Sequence, residues 1–312
     1  MRIVVVDHVN LGERHVRRLR SLGDVKIYRE PPKTAEELKA RIKEADIVIV
    51  GWSNLTRKVI DSAKRLKMIS IWATTCHYVD LDAARGRGIV VTHVPGYATE
   101  AVAEYTFPLL LAAVRKVALA DRHVRNGNFD WRPFGGIELA GKTLGIIGTG
   151  AIGFRVAEIA RAFNMQLFGY DKFPNPKRAD EVGLKYVDLK TLLKESDVIT
   201  NHVTLTSETE KLIGKKEIGA MKNGAVIVNT SQGKVIDEKA LVQALKSGKI
   251  AYAGLDVLEE EPPPKNNPLF RLDNTVLSPH IGFNTAEAEA RCSDICIDNV
   301  ASFLDGKRQN VC

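Results

Sequence analysis

The sequence predicts an α/β fold of two doubly wound parallel-sheet domains, and three observations carry that prediction. Short apolar runs alternate with amphipathic, helix-period stretches along residues 1–95 and again from Lys142 onward, the pattern of strands joined by crossover helices. The turn Gly148-Thr-Gly150-Ala-Ile-Gly153 follows the first apolar run of the second series and opens a helical stretch. At 312 residues the chain is long enough for two domains, each with its own core.

In the first series, strands are expected at 3–6, 25–28, 47–50, 68–71 and 89–91, with helices including 35–43 and 56–64. The opening Met1-Arg-Ile-Val-Val-Val-Asp7 is too short an apolar run for a signal peptide and reads as a buried first strand. Basic residues at 14–20 mark the solvated face of the first helix. No phosphate-binding glycine turn follows the first strand, so this domain is not the main cofactor domain. After Pro95-Gly96 comes a long apolar helical pattern over 99–125, expected to be interrupted early at Pro108, to cross between domains and to support a subunit contact. The loop 126–136 carries Trp131 and Phe134, which suit either a dimer or substrate-lid contact or the local core.

The second series places strands at 144–147, 166–170, 197–200, 225–229, 250–255 and 275–277, with helices at 151–163, 188–195, 215–221 and 237–247. Six strands with the glycine turn on the first match a dinucleotide-binding Rossmann sheet. The helical segment 286–304 is expected to return to the first domain, because that domain lacks a closing element. The expected organisation is therefore a cofactor domain, 98–284, inserted in a flavodoxin-like substrate domain, 1–97 plus 285–312.

Each glycine of the turn has a physical task in a dinucleotide site. Gly148 permits the tight turn, Gly150 lets backbone approach a pyrophosphate, and Gly153 lets helix and strand pack closely. The helix N-terminus at Ala151 and Ile152 faces the phosphates with free N–H groups. Asp171 is placed to accept hydrogen bonds from the adenosine ribose and to repel a 2′-phosphate, which favours NAD over NADP.

Bulk properties exclude several classes. No run of about 18 apolar residues exists to span a bilayer. The net charge of +7 comes from bases interleaved with acids; it suits an anionic substrate and cofactor better than nucleic acid. Cys76, Cys292, Cys296 and Cys312 show no metal-ligand spacing, and Cys292 and Cys296, four apart on a helix, read as free thiols in a reducing cytoplasm.

In such sheets ligands sit beyond the carboxyl ends of the strands, so the polar residues just after each strand matter most. These are Asn201-His202-Val203-Thr204, Thr230-Ser231-Gln232-Gly233-Lys234, Asp256 with Glu259-Glu260-Glu261-Pro262, and Ser278-Pro279-His280-Ile281-Gly282. A carboxylate and a histidine delivered to one rim can pair, the acid orienting the imidazole and favouring its charged form. Hydride transfer to a carbonyl needs such a proton donor. His202 reads as structural support at the cofactor cleft, Glu259 and Glu260 as solvated charges, and His77 and His93 as unpartnered surface or core residues.

The chain resembles the D-isomer-specific 2-hydroxyacid dehydrogenases over nearly its whole length, through Leu139-Ala-Gly-Lys-Thr-Leu-Gly-Ile-Ile-Gly-Thr-Gly-Ala-Ile-Gly153, Asn229-Thr-Ser-Gln-Gly-Lys-Val-Ile-Asp237, Asp256-Val-Leu-Glu-Glu-Glu-Pro262 and Ser278-Pro-His-Ile-Gly282. Within the family it resembles phosphoglycerate dehydrogenase and glyoxylate or hydroxypyruvate reductase-like members. The resemblance implies that His280 is the acid/base and Glu261 its partner, and that Asp256 contacts the nicotinamide carboxamide. It further implies that Thr204, Thr230 and Ser231 line the cofactor cleft, with Gly282 also a cofactor contact. Thr74, Thr75, Cys76 and Gln232 become the substrate contacts, and a homodimer is expected.

Three departures from the family pattern fall on the substrate side. Gln232 stands where relatives carry an arginine that grips the substrate carboxylate and carbonyl. Thr74-Thr75-Cys76-His77 replaces a glycine-containing turn, and Ala98 stands where many relatives have asparagine. Three readings follow: an oxidoreductase with an unusual substrate, an NAD(H)-sensing regulator with little catalysis, or a variant inactivated by loss of the arginine. Retention of both Glu261 and His280 favours the first, since a sensor needs no proton relay.

Overall fold

The computed structural model describes residues 1–312, which form two compact units, 1–98 with 284–312 and 99–283. The first unit runs β1 (Arg2–Val5), α1 (Glu13–Leu22), β2 (Asp24–Ile27), α2 (Ala35–Ile42), β3 (Ile47–Val50), α3 (Arg57–Ser62), β4 (Met68–Ile71), α4 (Leu81–Gly86) and β5 (Val90–Thr92). The second runs α5 (Thr99–Val114), α6 (Val117–Arg125), β6 (Thr143–Ile147), α7 (Ala151–Ala162), β7 (Gln166–Tyr170), α8 (Pro176–Val182), β8 (Leu184–Tyr186), α9 (Leu189–Glu195), β9 (Val198–Asn201), α10 (Lys215–Ala220), β10 (Ala225–Asn229), α11 (Glu238–Ser247), β11 (Ile250–Leu255) and β12 (Thr275–Leu277). The last helix, α12 (Ala286–Leu304), belongs to the first unit.

In the first unit all pairings are parallel, in the flavodoxin-like order β2-β1-β3-β4-β5. Every residue of β3 and β4 is buried, as expected where helices cover both faces of a sheet. α12 supplies part of that cover. Ser70 on β4 lies 3.1 Å from Cys296 Sγ, and the Trp72 indole N–H donates to Ser293 Oγ at 2.9 Å. Burial keeps Cys292 and Cys296 as free thiols and raises both above the ordinary thiol range, Cys296 to about 12.

Cys76 and Cys312, by contrast, form a disulfide. The Cys76 sulfur is thus bonded to residue 312, while its backbone N–H takes no part in the bridge. The pairing comes from β5, along which the chain after α12 is laid, with Cys312 N–H donating to Val91 O at 3.0 Å and His93 N–H to Asn310 O at 2.9 Å. A sequence separation of 236 hides such a neighbour from any local pattern. The bridge also removes the cysteine pattern as a simple sign of a reducing compartment.

The second unit is a seven-stranded parallel sheet, β12-β11-β10-β9-β6-β7-β8. Winding runs outward in both directions from β6, and the order reverses between β6 and β9, so the crevice at their carboxyl ends is the natural ligand position. The expected count of six strands is one short. β8 is a three-residue edge strand in which only Leu184 is buried, too little for an alternation signal.

α5 also differs from expectation. It continues through Pro108 and packs on α7 within the same unit, with Phe107 stacked on Phe163 at 5.3 Å. Pro108 and Glu104 both face solvent, where water can take the Glu104 carbonyl that loses its intrahelical partner. The break comes instead at Lys116, whose φ of 54° is left-handed. Side-chain caps start several helices: Asp188 accepts from Thr191 N–H, Asp237 from Ala240 N–H and Thr285 from Ala288 N–H, each worth about 1 kcal/mol. No helix is long and apolar enough to cross a membrane.

Candidate active site

The glycine turn joins β6 to α7 at the point of strand reversal. Gly148 has φ of 91°, and a Cβ there would lie 2.7 Å from the His202 carbonyl carbon. At Gly153 a Cβ would sit 2.0 Å from Gly148 O, so a side chain would force β6 and α7 apart. Gly150 caps α7, and its Cβ direction meets nothing within 4 Å. The turn is thus closed at its two ends and open at its middle, with Ala151 and Ile152 beginning a 12-residue helix. That arrangement fits a pyrophosphate laid on the helix N-terminus.

Asp171, just past β7, accepts from Thr149 N–H at 2.6 Å and from Phe173 N–H at 2.8 Å. Thr149 Oγ1 also lies 2.7 Å from the Tyr186 hydroxyl. The carboxylate is held by backbone beside the turn and keeps acceptor capacity for ribose hydroxyls. Residues of the dinucleotide-binding motif therefore fit NAD.

At the carboxyl end of β12 the chain turns sharply, and His280 takes a left-handed φ of 55°. Its Nδ1–H donates to Glu261 Oε2 at 2.7 Å, which leaves Nε2 as the working nitrogen. The two side chains are 46% and 37% exposed, open enough to meet a ligand. The hydrogen bond to Glu261 raises the imidazole above its ordinary value, against the opposing effect of burial, and the nearby carboxylate charges add to the rise. For Glu261, burial pushes the carboxyl up, but hydrogen bonds from His280 and from Leu258 N–H hold it below its usual range. The Glu261-Pro262 peptide is cis.

Asp256 sits in a dense hydrogen-bond network. Nearly buried at the end of β11, it accepts from Ser278 Oγ–H at 2.7 Å, Ile281 N–H at 2.9 Å and Gly282 N–H at 2.7 Å, while its carbonyl accepts His280 N–H at 2.8 Å. It therefore builds the turn that aims His280. Gly282 is part of the same contact, since a Cβ there would lie 2.9 Å from Asp256 Oδ2.

A second network shapes the turn after β10. Asn229 Oδ1 accepts from Asn201 Nδ2 at 3.2 Å and from Ser231 N–H at 3.1 Å, and Asn229 Nδ2 donates to Gln232 O at 2.9 Å. Asn201 Nδ2 also donates to Ser231 Oγ at 2.6 Å, and Thr230 Oγ1 lies 3.2 Å from Thr106 Oγ1. Ser231 and Thr230 are thus tied to buried partners, whereas Thr204 is exposed. Asn201, Asn229 and Ser278 stood in the strand-end motifs without an assigned role and Thr106 outside them, because their roles rest on partners in other elements.

His202 lies beneath the glycine turn. Its Nε2 pairs with Thr200 Oγ1 at 2.9 Å, Nδ1 has no partner, and burial drives its pKa down to about 3. The imidazole is therefore neutral.

In the first unit, Thr74 is exposed and Thr75 and Cys76 half-buried in the loop after β4. Thr74 Oγ1–H donates to Val94 O at 3.1 Å, and His93 Nδ1–H donates to Thr74 O at 2.7 Å. His93 is thus partnered, and His77 lies tilted against Tyr78 with ring centroids 4.1 Å apart. No backbone hydrogen bond within the chain takes up the N–H of Thr75, Cys76 or His77. No group of three or more His, Cys, Asp or Glu side chains is placed to hold a metal ion.

Residues 107–282 match the model of the D-isomer specific 2-hydroxyacid dehydrogenase NAD-binding domain. A glyoxylate reductase from Thermococcus litoralis is 40% identical over 306 residues, covering 95% of this chain and 92% of that protein. A D-3-phosphoglycerate dehydrogenase from Archaeoglobus fulgidus is 43% identical over 272 residues, covering 87% of this chain and 52% of that protein. The chain thus spans about half the length of the phosphoglycerate dehydrogenases it matches. Among solved structures, an acyclic imino acid reductase in complex with NADPH and D-Arg superposes with a TM-score of 0.91 at 36% identity, covering all of both chains. With the glycine turn, Asp171 and the strand-end motifs in place, the chain belongs to the D-isomer specific 2-hydroxyacid dehydrogenase family and carries its nicotinamide-dinucleotide-binding domain.

Proposed function

We propose that the protein is an NAD-dependent oxidoreductase that interconverts a 2-keto acid and a D-2-hydroxy acid, with an atypical substrate site at Gln232. The observation that carries this reading is the His280–Glu261 hydrogen bond of 2.7 Å on the rim of the dinucleotide-binding sheet. Bound at Gly148, Gly150, Ala151, Ile152, Gly153 and Asp171, the reduced cofactor supplies the hydride. Thr204, Thr230 and Ser231 border the same rim. Asp171 disfavours a 2′-phosphate by charge repulsion, so NAD is the working form.

The chain's own part is proton transfer and orientation. In reduction, His280 is protonated, and its Nε2–H donates to the carbonyl oxygen as negative charge develops there. Glu261 stabilises the imidazolium and fixes which nitrogen is presented. In oxidation, neutral His280 accepts the hydroxyl proton. Gln232 hydrogen-bonds the small anionic substrate without adding charge. In this reading the functional unit is a homodimer, with Phe129 and Trp131, 96% and 84% exposed, as apolar contacts for the second copy.

The test is NADH oxidation with a panel of small 2-keto acids, alongside His280→Ala. Reduction should be lost in the variant by about 100-fold or more, with NADH affinity nearly unchanged. Tight NADH binding without turnover of any keto acid by the wild type overturns the enzyme reading. Parallel loss of cofactor binding in the variant would make His280 a structural residue.

A further inference from the structure

Gln232 differs from an arginine in more than charge. A guanidinium has five N–H donors and no acceptor, whereas a carboxamide offers both an N–H₂ donor and a C=O acceptor. A keto oxygen only accepts hydrogen bonds, so donors alone suit it. The nitrogen of an imine made from ammonia, or of any protonated imine, bears hydrogen that needs an acceptor, and the protonated form is a cation that a guanidinium repels. Which of the two a rim favours depends on whether its side chain can accept.

The fold sets Gln232 beside the proton relay. β10, β11 and β12 are consecutive parallel neighbours, with Asn229 in register with Leu255 and Leu255 with Leu277. Gln232 and His280 each stand three residues beyond those registered positions. Gly233 presses on the turn that follows β11: a Cβ on it would lie 1.8 Å from Leu258 O. Leu258 N–H in turn donates to Glu261 Oε1 at 3.0 Å, and the other carboxylate oxygen holds His280. The Gln232 backbone is thereby fixed to the segment that carries the acid, and its own carbonyl is held by Asn229. Its side-chain amide makes no hydrogen bond within the chain, so both its acceptor and its donor remain for a ligand. The one basic side chain of the turn, Lys234, is exposed.

We propose that this rim is built for 2-imino acids, formed from a 2-keto acid and ammonia or a primary amine with loss of water, and that its product is a 2-amino acid. This rests on the oxidoreductase reading above and narrows its substrate class. Gln232 Oε1 accepts the imine N–H, and Gln232 Nε2–H donates to the carboxylate. In the chemical step the imine carbon gains hydride from the reduced nicotinamide, which leaves oxidised. The C=N π bond breaks, and nitrogen gains the proton held at His280 Nε2 or, if already protonated, becomes the neutral amine directly. Solvent restores any proton that His280 gives up.

The experiment follows NADH oxidation by the full chain with one 2-keto acid, alone and with excess ammonium or methylamine, and identifies the product by chiral chromatography and mass spectrometry. The amine arm should exceed the keto acid alone by about ten-fold in kcat/KM, the effect of one well-placed against one unsatisfied hydrogen bond, and yield amino acid. Gln232→Arg should reverse the preference. Calorimetry on NAD⁺-loaded protein adds a readout apart from turnover: the wild type should bind the 2-amino acid more tightly than the matching 2-hydroxy acid, and the arginine variant less tightly. Equal rates with and without amine, with hydroxy acid as the product, overturn the imino acid assignment and leave the keto-acid reading standing. No NADH oxidation in any arm overturns both.

Discussion

Replacing Glu261 with glutamine tests the proton relay at its smallest perturbation. The substituted side chain keeps its size and an oxygen for Leu258 N–H, which now donates to Oε1 at 3.0 Å, so the turn should persist. What changes is the bond to His280: with the amide oxygen on Leu258 N–H, the amide N–H₂ replaces the carboxylate oxygen at 2.7 Å, and it can bond only a neutral imidazole whose Nδ1 accepts. A hydrogen bond to a charged group is worth about 1.5–3 kcal/mol and a neutral one about 1, so the loss is about 0.5–2 kcal/mol. That is about two- to thirty-fold in rate, and the partial exposure of both side chains places the expectation in the lower half. The sign with pH is definite. His280 is raised above its ordinary value chiefly by this bond, so reduction, which needs imidazolium, is supported at low pH and is lost as pH rises through the raised value. In Glu261→Gln that alkaline limb should move to lower pH, while the reverse reaction, which needs neutral imidazole, should extend to lower pH. The assay is kcat/KM for NADH-linked reduction between about pH 5 and 10, where bell-shaped limbs report the free enzyme. An unmoved limb with kcat/KM within two-fold of wild type would refute the relay.

Two predictions concern stability. His202 is held neutral with a pKa of about 3, against about 6.5 when unfolded; the native state is therefore fully favoured above about pH 6.5 and loses stability as pH falls toward 3. His202→Gln should flatten this acid-side loss, by a few kcal/mol in order of magnitude, as read by urea unfolding at stepped pH; equal acid slopes in the two proteins would refute the assignment. Reduction of the Cys76–Cys312 disulfide, or Cys312→Ser, should lower the stability of the first unit by about 2–4 kcal/mol. Calorimetry with and without dithiothreitol measures it, and an unchanged Tm would show that the bridge contributes nothing.

Much of the fold was legible because its signals are local. Buried parallel strands such as β3 and β10 are unbroken apolar runs, and the glycine turn states its own geometry through Gly148 and Gly153. Where the local signal is weak the structure departs from it: β8 has one buried side chain, and Pro108 predicts a break that a solvent-facing carbonyl makes unnecessary. In the site, His280 and Glu261 were visible as residue types at strand ends. Asp256 as builder of the His280 turn was not, because three side-chain acceptor contacts reach it from residues 22 to 26 positions away.

By itself, the sequence determined the two wound sheets, the dinucleotide turn and the roster of polar residues at the strand ends, all of which depend on short-range spacing. Only the tertiary structure decided who meets whom. It closed His280 on Glu261, set Gly233 hard against Leu258, tied Asn201 and Asn229 around Ser231, and joined Cys76 to Cys312. Those pairings follow from strand register and from the path of the chain after α12, and no local spacing encodes either.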